Sequence, residues 1–293
     1  MKQFCLLFPV CLCFCSFGGE KNETKTFVPT SQSTNQTLRN IATLTKDTTL
    51  IIGGHAVDIR VPNKDIGIKG DILVLPGWNF PKEDWCLKSS LCEKALAQGY
   101  RLIMPEMGKS VYSSQLYEET LKEWRNFPTG KWLNTVMIPY LKEHFEIFTK
   151  TTPAFILGLS TGGRGVALTC LANPDLFVAA AALSGDYDQT VLPDDALMIG
   201  FYGNFEDYHE RWTGKDNPTF QAAHFKTPLY LGHGMQDEIV PFQQTLAFYE
   251  TLQRENPSLL VKLHLTPAGH NYIYWNSEVE SMLQFFEEIM SQK

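Results

Sequence analysis

The sequence predicts a single-domain α/β fold in which a mostly parallel central sheet is covered by helices on both faces. Segments typical of strands alternate with segments typical of helices along most of the 293 residues. The strand segments, such as ILVL at 72–75, are continuously apolar, as expected of strands that are buried on both faces. No repeat or second linker divides this region, so we expect one domain over residues 41–293.

The predicted elements follow one another in a regular order. Two strands flank a Gly-Gly turn within 48–62, and single strands are predicted within 70–77, 100–105, 153–160, 177–185, 227–234 and 259–267. Helices are predicted within 82–99, 130–145, 161–174, 241–256 and 277–292. The segment FVAAAALSG at 177–185 is also compatible with an apolar helix, and we interpret it as a strand because it begins after a short turn.

The N-terminus differs in composition from the rest of the chain. One Lys, an apolar stretch from Phe4 to Phe17 and small residues are typical of a secretory signal peptide, predicted at 1–18. The stretch is shorter than the roughly 20 residues of a membrane span. An alternative is a bacterial lipoprotein signal with Cys15 as the lipidated residue and membrane anchor. Residues 19–40 are polar and predict a flexible tether.

Charge and cysteine usage exclude several function classes. The net charge is -7 and no basic run is present, which argues against a nucleic-acid partner. Neither a His-Glu-x-x-His nor a Cys-x-x-Cys motif occurs, so we expect neither a metal nor a cofactor. After signal cleavage, Cys86 and Cys92 can close a small disulfide loop in an oxidising compartment.

A glycine-rich turn carries the first chemical signal. Gly158-Leu159-Ser160-Thr161-Gly162 matches Gly-x-Ser-x-Gly and lies between a predicted strand and a predicted helix. That context is required of a nucleophile elbow, in which a sharp turn lifts the serine above the edge of the sheet. Ser160 is therefore the candidate nucleophile.

A serine nucleophile needs a base and an acid that orients the base. His270 is the only histidine in a loop directly after the last predicted strand, and Asp237 follows the strand before it. Together with Ser160 they give the order serine, acid, histidine. Asp186 and Asp188, which follow the preceding strand, and Glu238 remain alternatives for the acid.

Candidate substrate contacts follow from the loops after the strands. The backbone N–H groups of Trp78 and Thr161 are the predicted oxyanion donors. The rings of Trp78, Tyr112 and Trp275 are expected to bind substrate, because loops at strand C-termini converge in such folds. Such large rings would leave room only for a small acyl group. We therefore expect a preference for acetyl to butyryl esters. The segment 204–220 is either a cap over the site or a surface excursion.

Three segments resemble the esterase branch of the α/β-hydrolases, which includes S-formylglutathione hydrolase (esterase D), tributyrin, feruloyl and acetylxylan esterases and mycolyltransferases. They are LIMPEMGKSVYSS, FILGLSTGGRGVALTCLANPDLFVAAAALSGDYD and GHNYIYWN. The resemblance extends from about Asp71 to the C-terminus. It implies carboxylic ester hydrolysis with Ser160, Asp237 and His270 as the triad. The chain departs from the branch in having Pro-Gly rather than His-Gly in the oxyanion loop, and Thr161 rather than Met.

The sequence therefore predicts an exported serine esterase that works through an acyl-enzyme on Ser160. An acyltransferase to a carbohydrate or another alcohol would use the same acyl-enzyme. A non-catalytic surface-binding protein on the same fold is the second alternative.

Overall fold

Residues 44–292 are described by a computed structural model. The predicted signal peptide at 1–18, its Cys15 and the tether at 19–40 lie outside the described residues. Within the described range, eight strands form one sheet in the order β1-β2-β4-β3-β5-β6-β7-β8. They are β1 Thr48–Ile52, β2 His55–Arg60, β3 Gly70–Leu75, β4 Tyr100–Pro105, β5 Ala154–Leu159, β6 Ala179–Leu183, β7 Leu229–Gly234 and β8 Val261–Thr266.

The sheet is parallel from β4 to β8, and only the β1–β2 hairpin and its pairing with β4 are antiparallel. The predicted α/β class and mostly parallel sheet are therefore confirmed. After β3, the chain adds β4 on one side of β3 and then β5 to β8 on the other side. This change in the direction of strand addition creates a crevice outside the carboxyl ends of β3 and β5, where ligands bind in open α/β sheets.

Helices cover both faces of this sheet. They are α1 Asp84–Lys88, α2 Leu91–Ala97, α3 Gly130–Trp132, α4 Ile138–Phe145, α5 Thr161–Ala172, α6 Ala196–Tyr202, α7 His209–Thr213, α8 Gln243–Glu255, α9 Tyr272–Ser277 and α10 Val279–Ser291. Side chains of α4, α5 and α8 belong to the core on one face, and side chains of α1, α2 and α10 belong to the core on the other. None of the helices within 44–292 is long and apolar enough to cross a membrane.

Two predicted helices are interrupted. The helix expected over 82–99 is divided into α1 and α2 at Ser89 and Ser90, and Ser90 N–H donates a hydrogen bond to Asn276 Oδ1 at 2.8 Å. The helix expected over 130–145 contains a π-helical turn at 133–137 just before Pro139, whose ring nitrogen cannot donate to the preceding turn. Cys86 and Cys92 form a disulfide that links α1 to α2.

The alanine-rich segment at 177–185 contains β6, a strand that is buried along its whole length. Its small side chains let helices approach both faces of the sheet. The approach of α5 to this strand also depends on Gly163, because a Cβ atom there would lie 2.7 Å from Leu183 O.

Candidate active site

Ser160 lies in the sharp turn between β5 and α5, and its backbone φ of 55° is in the left-handed region. A non-glycine residue in this region stores strain that the surrounding structure must hold. The two flanking glycines make the turn possible. A Cβ atom at Gly158 would lie 2.4 Å from Gly162 O, and one at Gly162 would lie 2.5 Å from Pro76 O. The motif is therefore a structural requirement of this turn.

His270 connects Ser160 to Asp237. Its Nε2 lies 3.0 Å from Ser160 Oγ, and its Nδ1 lies 2.6 Å from Asp237 Oδ2. The imidazole is mostly buried, with 10% of the side chain exposed, and the Asp237 carboxylate is fully buried. Three residues that are 110 and 33 positions apart in sequence thus form one continuous hydrogen-bonded chain.

The Asp237 carboxylate is held from both sides. Its Oδ1 accepts hydrogen bonds from the N–H groups of Ile239 at 2.9 Å and Val240 at 2.8 Å. Burial disfavours its charge, but hydrogen bonds from His233, His270 and the Val240 N–H outweigh burial and hold the pKa of Asp237 well below its usual range. The carboxylate is therefore ionised at neutral pH.

His233 in β7 is a site residue that was not predicted from the sequence. Its Nε2 lies 3.1 Å from Asp237 Oδ2, so two histidines share one carboxylate oxygen. The available signal was the spacing of four residues between His233 and Asp237, which alone does not predict a contact across a loop.

Two backbone N–H groups near Ser160 are available for a ligand. Within the described residues, neither Trp78 N–H nor Thr161 N–H donates a hydrogen bond. The Trp78 loop follows β3 and the Thr161 turn follows β5, so both lie at the crevice. A Cβ atom at Gly77 would lie 3.2 Å from Ser160 Cβ, which shows how closely the two loops approach.

Asn79 and Tyr112 hold the Trp78 loop in place. Asn79, at a φ of 55°, donates its N–H to Gly108 O at 2.8 Å. The Tyr112 hydroxyl donates to Pro76 O at 2.7 Å. Tyr112 is 1% exposed, so its ring supports the loop from below. The prediction that Tyr112 contacts substrate is corrected here, because the ring has almost no surface to offer.

Trp275 is likewise buried, with 1% exposure, in α9. Its indole N–H donates to Ser184 Oγ at 3.1 Å, and its ring packs edge to face on the His270 imidazole with centroids 5.0 Å apart. Trp275 therefore supports His270, and the prediction of a substrate contact is wrong for this ring too. Trp78 is half-buried and does face the cavity described next.

A cavity of about 200 Å³ opens beside Ser160. Its walls are mostly apolar, with a few polar groups between them. The lining residues are Trp78, Ser160, Thr161, Asp186, Gln189, Leu192, Asp195, Leu197, Met198, Ile239, Val240 and Gln244. Most of the wall comes from 186–198 and from the Asp237 loop. By contrast, the segment 204–220, expected as a cap or a surface excursion, contributes no residue to this cavity.

The alternative acids have other partners. Asp186 lines the cavity and forms an ion pair with the buried Arg164 at 3.2 Å, and burial raises the pKa of Asp186 to about 6. Asp188 accepts hydrogen bonds from Thr190 N–H and from the Asn217 amide. Glu238 is exposed. None of the three contacts His270. No group of three or more His, Cys, Asp or Glu within 44–292 is arranged to hold a metal ion.

The chain is similar in sequence to one protein family and in fold to several solved structures. Residues 96–293 match the model of the prolyl oligopeptidase family. The fluorophosphonate-binding serine hydrolase FphF of Staphylococcus aureus is similar with a TM-score of 0.64 and 20% identity, over 82% of this chain and 98% of its own. An S-formylglutathione hydrolase from Agrobacterium tumefaciens gives a TM-score of 0.64 and 16% identity, over 84% of this chain and 97% of its own.

A third solved structure, described as a dipeptidyl aminopeptidase IV from Bacteroides ovatus, is similar over 83% of this chain but only 35% of its own. Its TM-score is 0.59 and its identity 16%. None of the curated proteins compared with the chain matches it. The structural similarities establish the α/β-hydrolase fold that the sequence predicts.

Proposed function

The chain belongs to the prolyl oligopeptidase family, and we propose that it is a serine hydrolase that cleaves carboxylic esters with short acyl groups. The observation that supports this most strongly is the continuous hydrogen-bonded chain from Ser160 through His270 to Asp237. A buried, ionised carboxylate that holds an imidazole against a serine hydroxyl is the arrangement needed to activate that hydroxyl.

In the proposed reaction, Ser160 Oγ attacks the ester carbonyl carbon while His270 Nε2 takes the hydroxyl proton. The resulting oxyanion accepts hydrogen bonds from the N–H groups of Trp78 and Thr161. The intermediate collapses to an acyl-enzyme, and His270 returns the proton to the departing alcohol. Water then attacks the acyl-enzyme with His270 again as base, which releases the acid and restores Ser160.

The size of the cavity supports a small acyl group. About 200 Å³ between Trp78, Met198 and Ile239 leaves little room for a long acyl chain. We therefore propose a preference for acetyl to butyryl esters. If an alcohol rather than water attacks the acyl-enzyme, the same residues would perform acyl transfer. The partition between free acid and transferred ester, measured with added glycerol or glucose, distinguishes the two outcomes.

Peptide hydrolysis is a second candidate, and the family match is the observation that favours it. Ester and amide substrates form the same acyl-enzyme, but the amide has the poorer leaving group. A p-nitrophenyl ester and a p-nitroanilide with the same acyl group separate the candidates. An esterase turns over only the ester at a useful rate, whereas a peptidase also cleaves the matched anilide.

The primary test is labelling with a fluorophosphonate probe, together with turnover of p-nitrophenyl butyrate. Ser160→Ala removes the attacking oxygen, so we expect no labelling and a fall in kcat/KM of about 10⁴ or more. Ser258→Ala, an exposed serine outside the site, is the matched control and should behave like the wild type. A wild-type chain that neither labels nor turns over any ester or anilide would support the non-catalytic binding alternative.

We also propose that the protein is exported, either free or anchored through lipidated Cys15. This proposal rests on the composition of residues 1–18, and the disulfide between Cys86 and Cys92 is compatible with an oxidising compartment. Fractionation of cells that express Cys15→Ser beside the unaltered chain distinguishes an anchored form from a free one.

A further inference from the structure

His233 provides the second histidine contact on Asp237, and the proposed reaction does not use it. It lies in β7 and is completely buried. Its Nε2 faces two oxygen atoms, Asp237 Oδ2 at 3.1 Å and Val240 O at 2.9 Å. Its Nδ1 lies 2.6 Å from Thr245 Oγ1 on α8.

These contacts assign one hydrogen of the His233 ring. A backbone carbonyl and an ionised carboxylate can only accept, so Nε2 must carry a hydrogen that points between Asp237 and Val240. The Thr245 hydroxyl can donate to Nδ1 or accept from it, so the contact at Nδ1 is compatible with this assignment.

With this assignment, the Asp237 carboxylate accepts four N–H groups. Oδ1 receives the backbone N–H groups of Ile239 and Val240, and Oδ2 receives His233 and His270. The carboxylate cannot rotate without breaking two of these bonds. His233 also lowers the electron density that Oδ2 offers to His270, because one oxygen divides its charge between two donors.

We propose that His233 is a positioning residue for the triad. It fixes the plane of the Asp237 carboxylate so that Oδ2 points at His270, and it weakens the hold of Asp237 on the protonated form of His270. This role rests on the proposed function. It predicts that loss of the His233 donor disturbs the orientation of the base and displaces the pH at which the base becomes protonated.

Few other titratable groups surround His233. Asp237 and His270 lie on its Nε2 side. Tyr187, near Thr245, and Tyr274, near Asp237, are the neighbouring phenols, and burial raises the pKa of each well above its usual range. Both phenols therefore stay neutral throughout the pH range of an activity assay. Asp186 in the cavity wall also titrates in that range, but it is present in every variant compared, so a difference between variants reports on the histidines.

The test compares His233→Phe, which removes the donor and keeps a ring, with His233→Gln, whose amide can donate to Asp237 and accept from Thr245. The matched control is His264→Phe in the neighbouring strand β8, since His264 contacts Glu278 and not the triad. Each variant is titrated with a fluorophosphonate so that kcat is expressed per labelled site. The pH profile of kcat/KM is measured from about pH 5 to 9.

For His233→Phe we expect kcat per site to fall between about 10- and 100-fold with little change in KM, because the base is misoriented. The acid limb of the profile should move to higher pH, because Asp237 then stabilises the protonated imidazole more strongly. His233→Gln should recover most of both effects, and His264→Phe should match the wild type. If His233→Phe does not fold, Thr245→Val serves in its place, because it removes only the group that orients Nδ1. It should change kcat per site and the acid limb in the same directions, by smaller amounts.

A merely structural role gives a different result. His233→Phe would then lower the melting temperature or the labelled fraction, with kcat per site within about twofold of wild type and an unmoved acid limb, and this would overturn the proposal. Equal losses in the Phe and Gln variants would also overturn it. Failure of the wild type itself to label refutes the proposed function, and this is distinguishable because it does not depend on residue 233.

Discussion

Replacing Asp237 with asparagine tests both the stability and the chemistry of the site. The carboxylate accepts four N–H groups, two on each oxygen. An amide has only one oxygen, so in either orientation its NH₂ group must face two N–H donors. At about 1.5 kcal/mol for each hydrogen bond to a charged group, the lost pair destabilises the fold by about 3 kcal/mol.

The catalytic loss should be larger than the loss of stability. Asparagine cannot stabilise the protonated imidazole, and it favours the wrong tautomer if its NH₂ group faces His270 Nδ1. By analogy with triads in which this change has been made, we expect kcat/KM to fall by up to about 10⁴. The assays are p-nitrophenyl butyrate turnover at pH 7 and urea unfolding of the same samples.

The difference in unfolding free energy between the wild type and Asp237→Asn should also depend on pH, and the direction of this dependence can be predicted. The pKa of Asp237 is lowered in the folded chain relative to the ordinary value of 3.8. The contribution of its charge is therefore fully present above about pH 4 and is lost as the pH falls through the folded-state value. The unfolding free energies of wild type and Asp237→Asn should thus converge in acid and differ most near neutrality.

The control is Asp188→Asn, because an asparagine oxygen can accept the same hydrogen bonds from Thr190 and Asn217. It should keep kcat/KM within about twofold of wild type. A rate above about a tenth of the wild-type value in Asp237→Asn would contradict the role of Asp237 as the acid. A large loss in Asp186→Asn or Asp188→Asn instead would contradict it equally.

Three further outcomes are expected. In a series of p-nitrophenyl esters, kcat/KM should peak between acetyl and butyryl, and Ile239→Ala should move the peak to longer chains; an optimum at ten carbons or more contradicts the cavity assignment. Because burial raises the pKa of Asp186 to about 6, KM for neutral esters should rise as the pH increases through 6, and Asp186→Asn should flatten that rise. Replacing Cys86 and Cys92 by serine should lower the unfolding free energy by about 2 kcal/mol in denaturant melts, and an unchanged midpoint would show that the bridge does not constrain the chain.

The elements that could be predicted from the sequence are those that local chemistry decides. The apolar run of β5 and the glycines around Ser160 specify a strand, a sharp turn and a helix without reference to distant residues. Helix α9 was missed because its aromatic residues follow His270 in a segment interpreted as a loop. Asn271, whose Oδ1 accepts the Ile273 and Tyr274 N–H groups, was the capping signal that could have revealed it.

The aromatic rings show where local reasoning stops. Tyr112 and Trp275 both follow strand ends, as residues near a substrate should, yet both point into the protein and support the groups that react. Whether a ring faces a cavity or the core depends on what packs against it, and no pattern of neighbouring residues contains that information. His233 was missed for the same reason, since its contact with Asp237 depends on how one loop folds back over β7.

The chemistry of this site and its specificity depend on different parts of the structure. In the proposed reaction, attack by Ser160 needs the ends of β5, β7 and β8, which the sheet positions, and the loop after β3, which hydrogen bonds of Asn79 and Tyr112 hold in place. Half of the residues that line the cavity come instead from 186–198, which comprises the connection between β6 and α6, with a 3₁₀ turn at Gln189–Val191, and the first turn of α6. Such a connection can change in length and composition without disturbing the sheet. An ester and a peptide bond form the same acyl-enzyme, so the choice between them depends on this wall and on the leaving-group side of Ser160. Substitutions in 186–198 should therefore alter which substrate is cleaved, whereas substitutions in the strand ends should alter whether any substrate is cleaved.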